Sequence, residues 1–500
     1  MTFIRKIKRG KYVYLAEVKN VWENGKVRQE HIRYVGKEVD GKKVLSGSIA
    51  QAQIDKVSIY GPLLLIDAIA KQINLSKILG EYGDYLLSLA YAHCIAPNSI
   101  KKLTEWFSGT DIHSLLHIPD VTYKKLLEAL DSVDEKNGVV IQNKIFRELQ
   151  KKLGLVPEGY FYDVTNAYFY GIKCPIAKKK NKPKRKNQPQ IQIGLAVTKE
   201  EGLPIFHKVF EGNIFDARTL SDILILFQEH NVDNAFLIWD RGCSSKLNIS
   251  EAKEIGFEVL CGLALKGKLP EIAKKIITKE SFASMKHRVR LKNATFYAKK
   301  VAYNYHGTKG YLILCLNEKQ KHEIKERRLD KITKAQESIQ QKKKAKHKMG
   351  KFFRGKSINF SAIREAELFD GVSVIFCTKN LTENEIIHAY FEKDRIEKAF
   401  RTMKGLLEMD KIRFWLTGKV KAHIFICYLG YLLLSLLDYK LKKTSFDSNN
   451  ALEIMGSMYK VFITDMKTKN KFVKNVVLSK AQESILKAVD KKLLEPSVHN

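Results

Sequence analysis

From Gly159 to Phe210 the chain has room for a helix only in one lysine-rich loop. Three short runs rich in β-branched and aromatic residues follow one another: GYFYDVT from Gly159, QIQIGLAVT from Gln190 and LPIFHKVF from Leu203. Runs so closely spaced pair as an antiparallel meander. The pattern then alternates. SDILILFQEH carries helical spacing ahead of the strand run NAFLIWD, and SKLNISEAKEIG does so ahead of FEVLCGLA. Three antiparallel strands followed by strand–helix alternation is the order of an RNase H-like core, so the fold class expected is mixed α/β.

The flanking regions divide around that core. Residues 1–57 read as β-hairpins, with YVYLAEV and RQEHIRYVG split by an Asn-Gly turn signal. Residues 58–155 change to helical spacing, as in GPLLLIDAIAKQI and YLLSLAYAHCI, and form a helical domain with either a scaffold or a DNA-contacting role. The core occupies 156–265. Residues 266–380 read as a separate β-rich insertion that also carries a long charged helix, KQKHEIKERRLDKITKAQESIQQKKKAKHK, solvated or facing a polyanion. The core resumes over 381–445, and 446–500 read as a C-terminal helical region. No internal repeat is visible.

Composition narrows the partner. Lys and Arg total 88 against 54 Asp and Glu, a net charge of +34. Self-repulsion of that size calls for a polyanion, with nucleic acid ahead of an anionic membrane surface. The apolar run Ile424–Leu437 has 14 residues, too short to span a bilayer, and reads as a buried helix. The seven cysteines form no CxxC pair, which argues against zinc fingers and a disulfide framework and fits a reducing cytosol. MTFIRKIKRGKYVYLAEV has no signal-peptide core, so a cytoplasmic, nucleoid-associated location is expected.

Two carboxylates close strand runs: Asp163 ends GYFYD and Asp240 ends NAFLIWD. A charge at the tip of an apolar strand is costly without a partner, and α/β folds keep their chemistry in loops at strand ends. A third, Glu397, lies in the helical stretch HAYFEKDRIEKAFRTMKGLLE. There Ile396, Phe400, Met403 and Leu407 make an apolar seam. Tyr390, Glu397 and Lys404 recur at seven-residue steps beside it on one face, with Lys393 and Arg401 four residues either side of Glu397. Ordinary i,i+4 ion pairs on an exposed helix would look the same. Three acids on two strands and a helix suit a two-metal site, and hard oxygen ligands favour Mg²⁺ or Mn²⁺.

These blocks resemble the DDE transposases of prokaryotic insertion sequences, of the insertion-sequence-four superfamily type with a Tyr-Arg-Glu-Lys helix signature. The resemblance rests on YFYDVTNAYFYG, QIQIGLAVTKEEGLPIFHKVFEGNIFDARTL, FLIWDRGCSSKLN, YFEKDRIEKAFRTMKG and KAHIFICYLGYLLLSLL, in that order, over roughly residues 158–440. It implies that Asp163, Asp240 and Glu397 are the catalytic, metal-binding triad, holding two Mg²⁺ or Mn²⁺ ions. It also implies DNA cleavage at terminal inverted repeats, strand transfer into target DNA, and a homodimer in a synaptic complex. Tyr390, Glu397 and Lys404 match the signature; the Arg position holds Lys393, and Arg395 points elsewhere on the helix. In the family a β-rich insertion separates the second and third acids, in keeping with the 157 positions from Asp240 to Glu397.

Further DNA contacts expected are Arg241, Arg401 and the loop cations Lys178, Lys179, Lys180, Lys184, Arg185 and Lys186. Asn213, Asp216 and Thr219 either orient the triad or cap the next helix, and Trp239 and Trp415 either stack on a base or, for Trp239, fill the core. Two other functions fit the same residues: a different RNase H-like nuclease, and a non-enzymatic DNA-binding protein derived from a transposase.

Overall fold

The structure is a computed structural model. It describes residues 2–10, 12–23, 25–39, 42–45, 52–169, 173–179, 188–232, 234–278, 282–292, 294–340, 349–466 and 469–494. The fold is mixed α/β.

The first strands, β1 (Thr2–Arg9), β2 (Tyr12–Glu23), β3 (Lys26–Val39) and β4 (Lys42–Leu45), form an antiparallel meander. Strand β5 (Ala52–Ile59) leads into seven helices: α1 (Gly61–Gln72), α2 (Leu75–Leu79), α3 (Gly83–Ile95), α4 (Ile100–Ser108), α5 (Ile112–Leu116), α6 (Tyr123–Asp131) and α7 (Glu135–Leu153). Their starts use ordinary chemistry. Pro62 opens α1, and the Thr122 and Asp134 side chains accept backbone N–H groups at the heads of α6 and α7.

The expected meander follows as β6 (Gly159–Tyr168), β7 (Gln190–Thr198) and β8 (Pro204–Glu211). Then come α8 (Asp216–Glu229), β9 (Phe236–Trp239), α9 (Lys246–Glu254), β10 (Glu258–Leu263) and α10 (Leu269–Ile277). Strands β6, β7 and β8 pair antiparallel, while β9 runs parallel to both β6 and β10. All nine residues of β7 are buried, as a central strand covered on both faces requires.

Residues 266–380 divide between the core sheet and a small two-stranded sheet of their own. Strands β11 (Arg288–Arg290), β12 (Thr295–Tyr305) and β13 (Thr308–Leu316) are followed by α11 (Glu318–Gln340), the short β14 (Phe353–Arg354) and β15 (Ser357–Ile358), α12 (Phe360–Glu367) and β16 (Val372–Cys377). Strand β16 pairs antiparallel with β10 on one side and β13 on the other, giving one nine-stranded sheet in the order β11-β12-β13-β16-β10-β9-β6-β7-β8. The expectation of a separate insertion is corrected for these strands. Within GVSVIFC the run Val374–Cys377 is apolar, and it buries both faces beside β10 instead of alternating over a small core. The charged helix α11 is held to the sheet by a buried Arg328–Asp370 ion pair.

Helices α13 (Glu383–Phe391), α14 (Asp394–Gly405), α15 (Thr417–Leu441) and α16 (Ser448–Met455) come next, then β17 (Tyr459–Asp465), β18 (Lys471–Asn475) and α17 (Lys480–Val489). The run read as a 14-residue buried helix is the middle of the 25-residue α15. Among the described residues α15 is the one helix long and apolar enough to cross a membrane by length and composition, and 89% of its apolar window is buried inside the protein. The region 446–500 is not wholly helical. Strand β17 pairs with β18 and, across the chain, with β5.

Candidate active site

Register explains why Asp163 and Asp240 meet. Tyr162 lies opposite Trp239 across the parallel β6–β9 pair, so the next residues along both strands are Asp163 and Asp240. Tyr162 donates its hydroxyl to Thr219 of α8 at 2.8 Å, so the alternation of a strand turns Asp163 to the opposite face. That face is crossed by α14, which packs on β6 and β7. Asp163 does not end its strand as expected. It pairs with Leu195, and β6 continues to Tyr168; it is β9 that stops, at Trp239.

The stretch around Glu397 is two helices. The first ends at Phe391 and the second begins at Asp394, with Lys393 at the junction. Ile396, Ala399, Phe400 and Met403 are buried, while Glu397 remains exposed. The break turns Tyr390 and Lys393 onto one acceptor. Tyr390 donates its hydroxyl to Oδ1 of Asp240 at 3.0 Å, and Lys393 Nζ reaches the same oxygen at 2.8 Å while lying 4.7 Å from the Tyr390 ring centre. Tyr390 is only 7% exposed; expected to touch DNA, it instead faces the second carboxylate. Gly262 on β10 makes room for it, because a Cβ there would collide with the Tyr390 oxygen.

The electrostatics separate the two aspartates. Burial pushes the Asp163 carboxyl up to about 6, the Val164 N–H opposes this, and the negative charges of Asp240 and Glu397 push it further. Burial also raises Asp240, but Lys393, the Arg241 N–H and the Tyr390 hydroxyl more than offset it, and its carboxyl lies below the usual range. Asp163 is therefore within electrostatic reach of both Asp240 and Glu397. Among the described residues, no three His, Cys, Asp or Glu side chains converge tightly enough to hold an ion. Three hard-oxygen donors, one of them pushed toward its neutral form by burial and then by its acidic neighbours, nonetheless suit a hard divalent cation by donor chemistry. The Lys393 ammonium supplies positive charge at Asp240.

The other residues expected at DNA take several positions. Lys404 donates to the carbonyl of Asn166 on β6 at 2.6 Å and lies 3.9 Å from Asp410, so it ties α14 to the sheet. Arg395 bonds the Glu200 carbonyl. Arg241 and Arg401 are exposed. Lys178 and Lys179 are exposed just before the loop, with Lys178 bridged to Gln190 through the backbone. Lys180, Lys184, Arg185 and Lys186 lie outside the described residues. Trp239 is core at 1% exposure and donates to Ser244 at 3.0 Å, while Trp415 is 61% exposed.

The segment 213–219 does not cap its helix: Phe215 holds the cap position and makes no side-chain bond there. Asp216 accepts from the buried Gln192 at 2.7 Å, and its carboxylate lies against Gly242, two residues past Asp240. Asn248, not singled out from the sequence, donates to the carbonyls of Ala217 at 2.7 Å and Cys243 at 2.6 Å, fixing the turn after Asp240. A second overlooked pair clamps the far end of the Glu397 helix. His93 of α3 bonds the carbonyl of Leu407 at 2.8 Å, and His423 of α15 bonds that of Met409 at 3.2 Å. Between these carbonyls Glu408 adopts a left-handed φ of 51°. Buried histidines bound to carbonyls are too weak a signal to find from spacing.

No family model matches the chain, and no curated protein matches it. Among solved structures it is similar to the piggyBac transposase in a synaptic complex with hairpin DNA. The TM-score is 0.39 and the identity 12%, over 88% of this chain and 83% of that one.

Proposed function

We propose that this chain is a DDE-type DNA transposase that cuts DNA at transposon ends and transfers the freed strand into target DNA. The observation that carries the reading is the register that sets Asp163 and Asp240 side by side, on the sheet face crossed by the helix that bears Glu397. Asp163 and Asp240 occupy one register of adjacent parallel strands, and Glu397, far along the sequence, comes close enough for its charge to raise Asp163. The order β8-β7-β6-β9-β10, antiparallel then parallel, supports an RNase H-like core.

Mg²⁺ or Mn²⁺, as one ion or two, would be held by Asp163, Asp240 and Glu397, and when bound supplies Lewis-acid charge for phosphoryl transfer. The chain's own residues do the rest. Tyr390 and Gly262 fix the Asp240 carboxylate, and Asn248 and Asp216 hold the turn behind it. Lys393 delivers a cation where a phosphate would lie beside two acids, neutralising charge without the bidentate fork of arginine. The net charge of +34 supplies phosphate affinity. Pairing two DNA ends calls for two subunits, so a homodimer forms on DNA, in the cytoplasm of a prokaryotic cell.

The test is Mg²⁺-dependent nicking and joining of a duplex carrying the inverted repeats that flank the gene. Asp163→Ala, Asp240→Ala and Glu397→Ala should each abolish both reactions and leave end binding nearly intact. Near-normal cleavage by all three variants would overturn the site. Cleavage by the unmodified protein without any joining would reduce the reading to a nuclease.

A further inference from the structure

A trough runs away from Asp240 along the face of the sheet that carries α13. Its first part, about 890 Å³, starts at Asp240 and Arg241 and passes the Phe391–Arg395 junction of α13 and α14. Its second part, about 550 Å³, ends at Arg288, Arg290 and Lys319. The two parts share Leu291, Lys292, Ala294 and Asn317, which makes them continuous.

The trough has two textures. Its floor carries the half-buried apolar side chains Leu265, Leu291, Val372 and Phe391, and the Phe391 ring lies 4.5 Å from that of the buried Phe296. Its rim is cationic. The edge strand β11 reads Arg-Val-Arg, so alternation buries Val289 and presents Arg288 and Arg290 together. Arg241, Arg290, Lys292 and Lys319 have no carboxylate partner among the described residues. The acids along the trough, by contrast, are engaged: Asp240 by Lys393, Glu392 by Lys199, Asp394 by Lys398 and Glu318 by Lys321. The surplus charge is therefore positive and available.

We propose that this trough binds a single DNA strand, with bases against the apolar floor and phosphates along the Arg241–Lys292–Arg290–Lys319 rim. A duplex keeps its base faces stacked inside and leaves the apolar floor without a base to pack against. An unpaired strand offers base faces as well, and that combination is what single-strand grooves use. The inference rests on the reading of the chain as a DNA-processing enzyme and adds where an unpaired strand leaves the acidic centre. The competing explanation is that a cationic edge strand only prevents edge-to-edge pairing of sheets.

The experiment measures fluorescence anisotropy of the full chain with a labelled twelve-nucleotide oligo-dT and with a blunt duplex of equal length. It compares the unmodified protein with the Arg290→Glu, Lys292→Glu double variant and with Lys319→Glu alone. A control pair, Lys442→Glu with Lys443→Glu, changes net charge equally at an exposed site far along the sequence. The trough variants should weaken oligo-dT binding about tenfold or more and duplex binding less than about threefold. The log–log salt slope for the oligonucleotide should fall by about 1.4 in the double variant, two phosphates at about 0.7 each. Equal losses on both DNAs, losses matched by the control pair, or no loss would overturn the trough, and unchanged melting excludes misfolding as the cause. Metal-dependent cleavage by the unmodified protein, run alongside, fails or succeeds independently, so a failed trough and a failed catalytic reading are told apart.

Discussion

Lys393 Nζ stands 2.8 Å from Oδ1 of Asp240, the same oxygen that accepts the Tyr390 hydroxyl at 3.0 Å. An ammonium and a divalent cation compete for such an oxygen. Lys393→Ala should therefore tighten Mn²⁺ binding, read as the thermal shift produced by a Mn²⁺ titration. Asp240 is half exposed, which limits the pair to about 0.5–1 kcal/mol, or roughly two- to fivefold in affinity. Lys393→Arg should leave the affinity unchanged. Weaker Mn²⁺ binding by the alanine variant would show that Lys393 organises the carboxylate instead of competing for it.

Asp163 gives a pH dependence of definite sign. Its folded carboxyl titrates near 6, above its unfolded value of 3.8. The folded form thus binds the proton more tightly, and the contribution to stability is full below about pH 4 and lost as pH rises through 6. Asp163→Asn should stabilise the metal-free protein at pH 7.5 by on the order of 1–3 kcal/mol and have little effect at pH 4. Denaturant midpoints at the two pH values check this. A destabilised variant at pH 7.5 would mean that the carboxylate is held by interactions stronger than the repulsion.

Gly262 and Tyr390 form a steric pair. Gly262→Ala should drive the Tyr390 oxygen off Asp240, at a cost of about 1–3 kcal/mol in stability, with single-turnover cleavage slowed tenfold or more. In a Tyr390→Phe background the same alanine should cost less, because the colliding oxygen is gone. A double-mutant cycle of melting and cleavage measures the coupling; strict additivity would refute the contact.

Three buried histidines set the acid limit. Burial lowers His207 and His423 to about 3 and lowers His93 as well. Each is bound neutral in the fold but takes up a proton when unfolded, so its contribution is full above about pH 6.5 and lost as pH falls. Stability should drop by up to about 1.4 kcal/mol per pH unit for each of His207 and His423 between pH 6 and 4, with His93 acting in the same direction and Asp163 opposing by one proton over part of that range. His423→Leu should flatten the slope. An unaltered slope would place the acid sensitivity elsewhere.

What was legible in the chain was local. FLIW, EVLCGL and QIQIGLAVT could be read as strands because β-branched runs have few other uses, and the apolar seam of Ile396, Phe400 and Met403 marked a helix. What was hidden depended on distant partners. That Val372–Cys377 inserts between β10 and β13 follows from pairing across more than a hundred residues, which composition does not encode. The break at Lys393 escaped because Glu392 and Lys393 are good helix formers, and the turn there goes with the reach of Tyr390 and Lys393 to Asp240. Tyr390 and Lys404 shared a polar face in projection, yet one points into the sheet and the other onto a backbone carbonyl. Helical spacing does not distinguish a polar side chain facing water from one facing a buried acceptor.

The pairing of β5 with β17 imposes an order of events on biosynthesis. The amide of Gly61, at the head of α1, is accepted by Met458, and Lys460 of β17 forms a buried pair with Asp111. Helix α15 fills the space between the helical bundle and β8. A nascent chain thus carries the strands of Asp163 and Asp240 out of the ribosome long before their covering helices exist. At ordinary translation speeds the wait is on the order of ten seconds or more. For that interval the two aspartates are present without Glu397, and the apolar face beneath α14 and α15 is bare. A polypeptide built this way becomes competent late and all at once, and in that interval it would need a chaperone to shield that face from aggregation.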